Sequence, residues 1–171
     1  MKLCWMVVTL MCSANYNTRC LITSGKRKAM EFHKILVPVA GTDADEKAME
    51  LADRLLAKKN NGKICAVYVI SIERALPLDA EIESEIRKAE DILNHIESIA
   101  EEQGCKIETE LLQAREVAPA IVDEAIEREV DLILIGVTYK RRFGEFSLGD
   151  VVPYVLKNAP CRVILYHQPI M

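Results

Sequence analysis

The sequence predicts an α/β protein built on a parallel β-sheet, and two observations carry that expectation. Short, nearly unbroken apolar runs at 34–39, 63–72, 131–136 and 161–167 have the pattern of strands buried on both faces. Between them lie longer stretches whose apolar residues recur at three- and four-residue steps, the helical period. Five strands separated by four helices imply right-handed crossovers that place helices on both faces of the sheet.

The first run, "KILVPV" (34–39), ends at Gly41, with Thr42 or Asp43 placed to cap the next helix. That helix carries Ala48, Leu51, Ala52, Leu55 and Leu56 on one face and closes at Lys58, Lys59 and Gly62. "KICAVYVISI" (63–72) is the second strand. A linker containing Pro77 leads to the longest helix, 79–103, whose stripe is Ile82, Ile86, Ala89, Leu93, Ile96 and Ala100. "KIETELLQ" (106–113) alternates apolar and acidic residues, so one face is wet and the strand belongs near a sheet edge. A helix at 117–129, with Ile121, Ala125 and Ile126 facing inward, precedes "DLILIG" (131–136). A short helix (150–158) and "CRVILYH" (161–167) complete the pattern.

A chain of 171 residues, 50% apolar and 28% charged, suits one globular domain. Its charge is uneven. Residues 1–29 hold five cations and no acid, whereas the other residues hold 17 cations and all 26 acids. An acidic domain repels the backbone of nucleic acid, which excludes DNA and RNA as first-choice partners. The head's apolar run, "LCWMVVTLMC", is far shorter than the roughly twenty residues that span a bilayer, so no membrane partner is expected. It reads either as a signal-like segment ending near Ala14 or as an extension ahead of a true start at Met30. The second reading is preferred, which divides the chain into an extension, 1–29, and a domain, 30–171. Cys65, Cys105 and Cys161 fall in or beside strands without zinc spacing and read as buried thiols.

In parallel sheets of this kind, ligands sit beyond the carboxyl ends of the strands, where the strand order reverses. If the first strand is central and the fourth lies beside it, the loops after Val39 and after Gly136 share that crevice. The second of these loops runs to Gly149 and contains Tyr139 and "KRR" (140–142), a run that usually marks solvated surface. Enzymatic constellations are thin. Gly62-Lys63 is followed by Ile64 and makes no phosphate loop, and His33, His95 and His167 stand in no metal-binding frame. His95 reads as a solvated histidine.

The combination of "KILVPV", "DLILIG" and "LGDVVPYVLKNAPCRVILY" resembles the universal stress protein family over 33–167. Gly136 and Gly149 match the first and third glycines of that family's nucleotide loop, G-x2-G-x9-G-[S/T]. The resemblance implies a Rossmann-like five-stranded sheet in the order 3-2-1-4-5 and a dimer. It also implies where the chain departs from nucleotide chemistry. Tyr139 replaces the second glycine, Asp150 replaces the Ser/Thr at the helix start, and Ala40 replaces an aspartate that contacts nucleotide. Val69 matches an adenine-facing position, and Val39 and Val151 complete the implied site.

Asp150 is expected to cap the last helix, occupying amides that a phosphate would need and repelling it. Tyr139 is expected to fill the crevice. The resulting expectation is a cytoplasmic universal stress protein that acts by binding and not by catalysis. Its nucleotide site is degenerate, with no cofactor or at most weakly held ATP, and no metal. Self-association as a homodimer is expected through the last strand, 161–167, whose outer edge nothing covers. Two alternatives are an ATP-binding switch of the same family and an adenine-nucleotide hydrolase-like enzyme.

Overall fold

A computed structural model describes residues 9–10, 31–57, 61–78, 81–138 and 148–167. The elements are β1 (Thr9–Leu10), β2 (Lys34–Pro38), α1 (Asp43–Leu55), β3 (Lys63–Ser71), α2 (Glu83–Glu102), β4 (Ile107–Ala114), α3 (Val117–Glu127), β5 (Leu132–Val137), α4 (Val151–Asn158) and β6 (Arg162–His167). Strands β2 to β6 form a parallel sheet in the order β4-β3-β2-β5-β6. Counted along the chain from β2, that is 3-2-1-4-5.

Alternation along each strand builds two cores. Ile35 and Val37 of β2 and Leu132 and Leu134 of β5 face one side, where Ala48, Met49 and Ala52 of α1 and Leu93 and Ile96 of α2 meet them. Leu36 and Ile133 face the other side, against Ile121, Val122 and Ala125 of α3 and Val152 and Val155 of α4. Leu36, Ile133 and Leu134 are completely enclosed. Each such side chain contributes about 1.5–3 kcal/mol relative to exposure. Double-sided burial is why these strands read as continuous apolar runs.

The ends of the elements agree with the sequence pattern to within a few residues, with three instructive departures. Ile126, expected to face inward, is 56% exposed. The buried stripe of α3 is Ala118, Ile121, Val122 and Ala125, and a residue at the next step lies about 90° from its centre. Asp150 is the residue before α4, but its side chain makes no capping hydrogen bond; its backbone is already helical, whereas a capping residue is normally extended. His95 is not simply solvated, since its Nε2 lies 2.9 Å from Glu46 Oε1 on α1.

The outer strand β4 is an edge, as its alternating residues suggested. Glu108 and Glu110 on it accept hydrogen bonds from Arg128 at 3.3 and 2.8 Å, which places charge along that edge. At the opposite edge the structure adds a strand the sequence pattern did not suggest. Thr9 and Leu10 pair antiparallel with Ile164 and Val163 of β6. Two residues pair through backbone groups alone, and so short a segment shows no periodicity that could announce it. The edge expected to be open is therefore covered at two of the six β6 positions.

Candidate functional site

The chain leaves β2 outward in one direction to β3 and β4, then crosses back to β5 and β6. The reversal falls between β2 and β5, which pair at Ile35–Leu132 and Leu36–Ile133. Beyond their carboxyl ends lies a cavity of about 230 Å3. Its walls are largely apolar: Val39 from β2's end, Val117 and Ile121 from α3, Ile135 and Val137 from β5, and Leu148, Val151 and Val152 from α4 and its approach. Pro38, Ala40, Thr42, Asp45, Gly136 and Thr138 complete the lining.

Of the residues the sequence pattern singled out, Val39, Ala40, Gly136 and Val151 line this cavity. Gly149 and Asp150 are exposed beside it, at the start of α4. Val69 lies on β3, one strand further out, packed half-buried against the α3–α4 core and outside the lining. Tyr139 and the "KRR" run lie outside the described residues.

The two glycines serve different ends. Gly149 has φ +68°, a conformation that side chains disfavour, while a Cβ there would meet nothing within 4 Å. It permits a turn. At Gly136, by contrast, a Cβ would sit 2.7 Å from the Ala44 carbonyl oxygen and 3.0 Å from Asp45 Oδ1. It permits the first turn of α1 to rest directly on β5.

That close approach buries Asp45, a residue the sequence pattern did not single out. It is only 2% exposed. Its Oδ2 accepts hydrogen bonds from the Ala40 and Thr42 amides at 2.9 and 2.8 Å, closing the loop between β2 and α1. The signal was present as Thr42-x-x-Asp45, the spacing of a capping box with a shortened acid. Burial pushes the Asp45 carboxyl above its ordinary value of 3.8, with the hydrogen bonds from Thr42 and Ala40 opposing that rise. Thr42 Oγ1 is itself buried without a well-formed hydrogen bond, yet it stands close enough to the carboxylate to favour its charged form.

Two of the described cysteines are held unreactive by burial. Burial pushes the thiols of Cys65 and Cys161 up to about 11, so both stay protonated near neutral pH. Among the described residues no group of three or more His, Cys, Asp or Glu side chains could hold a metal ion. No described helix is long and apolar enough to cross a membrane.

A doubly wound parallel sheet with a crevice at its switch point defines the class: a Rossmann-like α/β protein. Residues 31–167 match the sequence profile of the universal stress protein family. A universal stress protein of Methanocaldococcus jannaschii is 34% identical over 146 residues, which are 81% of this chain and 84% of that relative. A solved universal stress protein of Archaeoglobus fulgidus in complex with dAMP is 25% identical. It superposes with a TM-score of 0.61 over 80% of this chain and 98% of its own. A family protein of Arabidopsis thaliana with AMP bound, 18% identical, shares the fold, with a TM-score of 0.56 over 80% and 92% of the two chains. The chain belongs to the universal stress protein family.

Two outcomes are expected from this geometry. Gly136→Ala forces α1 away from β5, because the obstructing atoms are backbone; thermal unfolding should show a loss of about 1–3 kcal/mol. Asp45→Asn should raise the melting temperature at pH 7. The folded carboxyl titrates above its unfolded value, so its cost to stability develops as pH rises from about 4 through the folded pKa. The advantage of Asn should shrink as pH falls through the folded pKa and vanish below about pH 3, where the wild-type side chain is neutral in both states.

Proposed function

We propose that this chain is a cytoplasmic universal stress protein that works by binding and self-association, not by catalysis, and that its nucleotide site is degenerate at the phosphate end. The observation that carries the reading is Asp150. It stands exposed at the start of α4 with no capping hydrogen bond, in the place where the family pattern has Ser or Thr. An uncapped carboxylate still repels phosphate, and it offers no hydroxyl in return. The relative solved with dAMP supports the crevice as a nucleotide-type site. The largely apolar walls here support retention of the part that takes a base or sugar.

Titration calorimetry with ATP tests this reading. No binding is expected at micromolar concentration in the wild type. Asp150→Ser combined with Tyr139→Gly should raise the affinity about tenfold or more, one charge-assisted hydrogen bond's worth. Micromolar ATP binding by the unaltered chain would instead make it an ATP-dependent switch.

The working domain is proposed to be 30–171, with a homodimer formed through 161–167. The Thr9–Leu10 strand pairs with Val163 and Ile164 only, and antiparallel pairing of two β6 edges is the isologous contact a two-fold requires. A chain beginning at Met30 should melt within about 3 °C of the full chain, a change below roughly 1 kcal/mol. It should also sediment as a dimer at micromolar concentration. Monomers at that concentration would remove the proposed interface, and a large loss of melting temperature would show that the extension is part of the fold.

A further inference from the structure

Among the described residues lining the switch-point cavity, Asp45 is the only ionisable one. Its two oxygens are used unequally. Oδ2 takes the Ala40 and Thr42 amides, while Oδ1 lies against Gly136, itself part of the cavity wall. A second cavity, which shares Thr42 and Asp45 with the first, carries Asp43, Glu46 and Asp91, with His95 bound to Glu46. Asp150 stands at the α4 side. The described charges at this end are therefore mostly acidic, and of the three acids in the first turn of α1 it is Asp45 that reaches the crevice.

The cavity's size points the same way. About 230 Å3 lies below the roughly 300–1,000 Å3 typical of pockets for drug-sized ligands, so it suits a fragment such as a base or a sugar. A phosphate placed there would lose its water among apolar side chains and face a carboxylate. A hydroxyl or amino group would instead find an acceptor already fixed by two amides.

We propose that Asp45 makes this cavity select the uncharged part of a nucleotide, so that the protein takes a nucleoside in preference to a nucleotide, with a sugar hydroxyl or base amino group donating to Oδ1. The carboxylate that residue 40 lacks is thereby supplied from the first turn of α1. The proposal rests on the reading of this crevice as a nucleotide-type site with an impaired phosphate end.

The test is equilibrium binding of adenosine and of ATP to the full chain, wild type and Asp45→Asn, at neutral pH. Wild type should bind adenosine about tenfold or more tightly than ATP. Asp45→Asn keeps the shape and removes the charge. It should weaken adenosine about fivefold, because a charge-assisted bond becomes a neutral one, and should strengthen ATP. Opposite signs are the signature of a ligand-facing charge; a merely structural role moves both affinities in one direction, and that result would overturn the inference. The wild-type ratio needs no variant. If ATP binds as well as adenosine, or adenosine does not bind at millimolar concentration, the inference also fails. Absence of adenosine binding leaves the degenerate-site reading standing, whereas micromolar ATP binding removes that reading.

Discussion

The first turn of α1 rests so closely on β5 that position 136 has no room for a Cβ, with the Ala44 carbonyl oxygen 2.7 Å from where one would be. Much of the site follows from that contact. It sets Thr42 and Asp45 into the wall of the cavity beyond the ends of β2 and β5. It also turns Asp45 inward, because a helix pressed onto the strand has no solvent on that side. The carboxylate then answers the loop's own needs, accepting the Ala40 and Thr42 amides that the turn from β2 into α1 would otherwise leave unpaired.

A buried carboxylate in an apolar wall shapes what the crevice can accept. Its desolvation and the hydrogen bonds it accepts work against each other, and desolvation is the larger influence on its titration. The acids of α1's first turn favour the helix while opposing any anion near it. Asp150, at the start of α4, adds charge of the same sign. Among the described residues the charge around the crevice is negative, the opposite of a helix start that welcomes phosphate.

The sheet's two edges are handled differently. β4 carries Glu108 and Glu110, drawn to Arg128 together with Glu124 of α3, so that edge presents charge. β6 presents apolar residues and is partly covered by Thr9–Leu10. Val163 faces the α3–α4 core and Ile164 the opposite core. Pairing along β6 therefore depends on backbone groups and not on which side chains stand outward.

The residue order alone indicated a parallel α/β sheet, placed β4 near an edge, and pointed to the loops after Val39 and Gly136 as neighbours should their strands pair. These features are local: apolar periodicity follows directly from which faces are buried, and glycines mark backbone that a side chain would obstruct. The family resemblance supplied the strand order, which periodicity does not encode, and the positions Val39, Ala40 and Val151, which the fold brings with Gly136 to one cavity. Asp45 was hidden because its burial depends on β5, a strand distant in sequence, pressing against α1. Val69 fell outside the cavity because β3 lies one strand away from the β2–β5 switch point, although Val69 faces the same α3–α4 side. Asp150 has the composition of a cap but adopts a helical backbone that leaves its side chain uncapping, and β1 is too short to leave a pattern. Tyr139 lies outside the described residues. What residues do next to their sequence neighbours can be read in one dimension; what a charge does depends on which surfaces meet around it, and only the packed chain decides that.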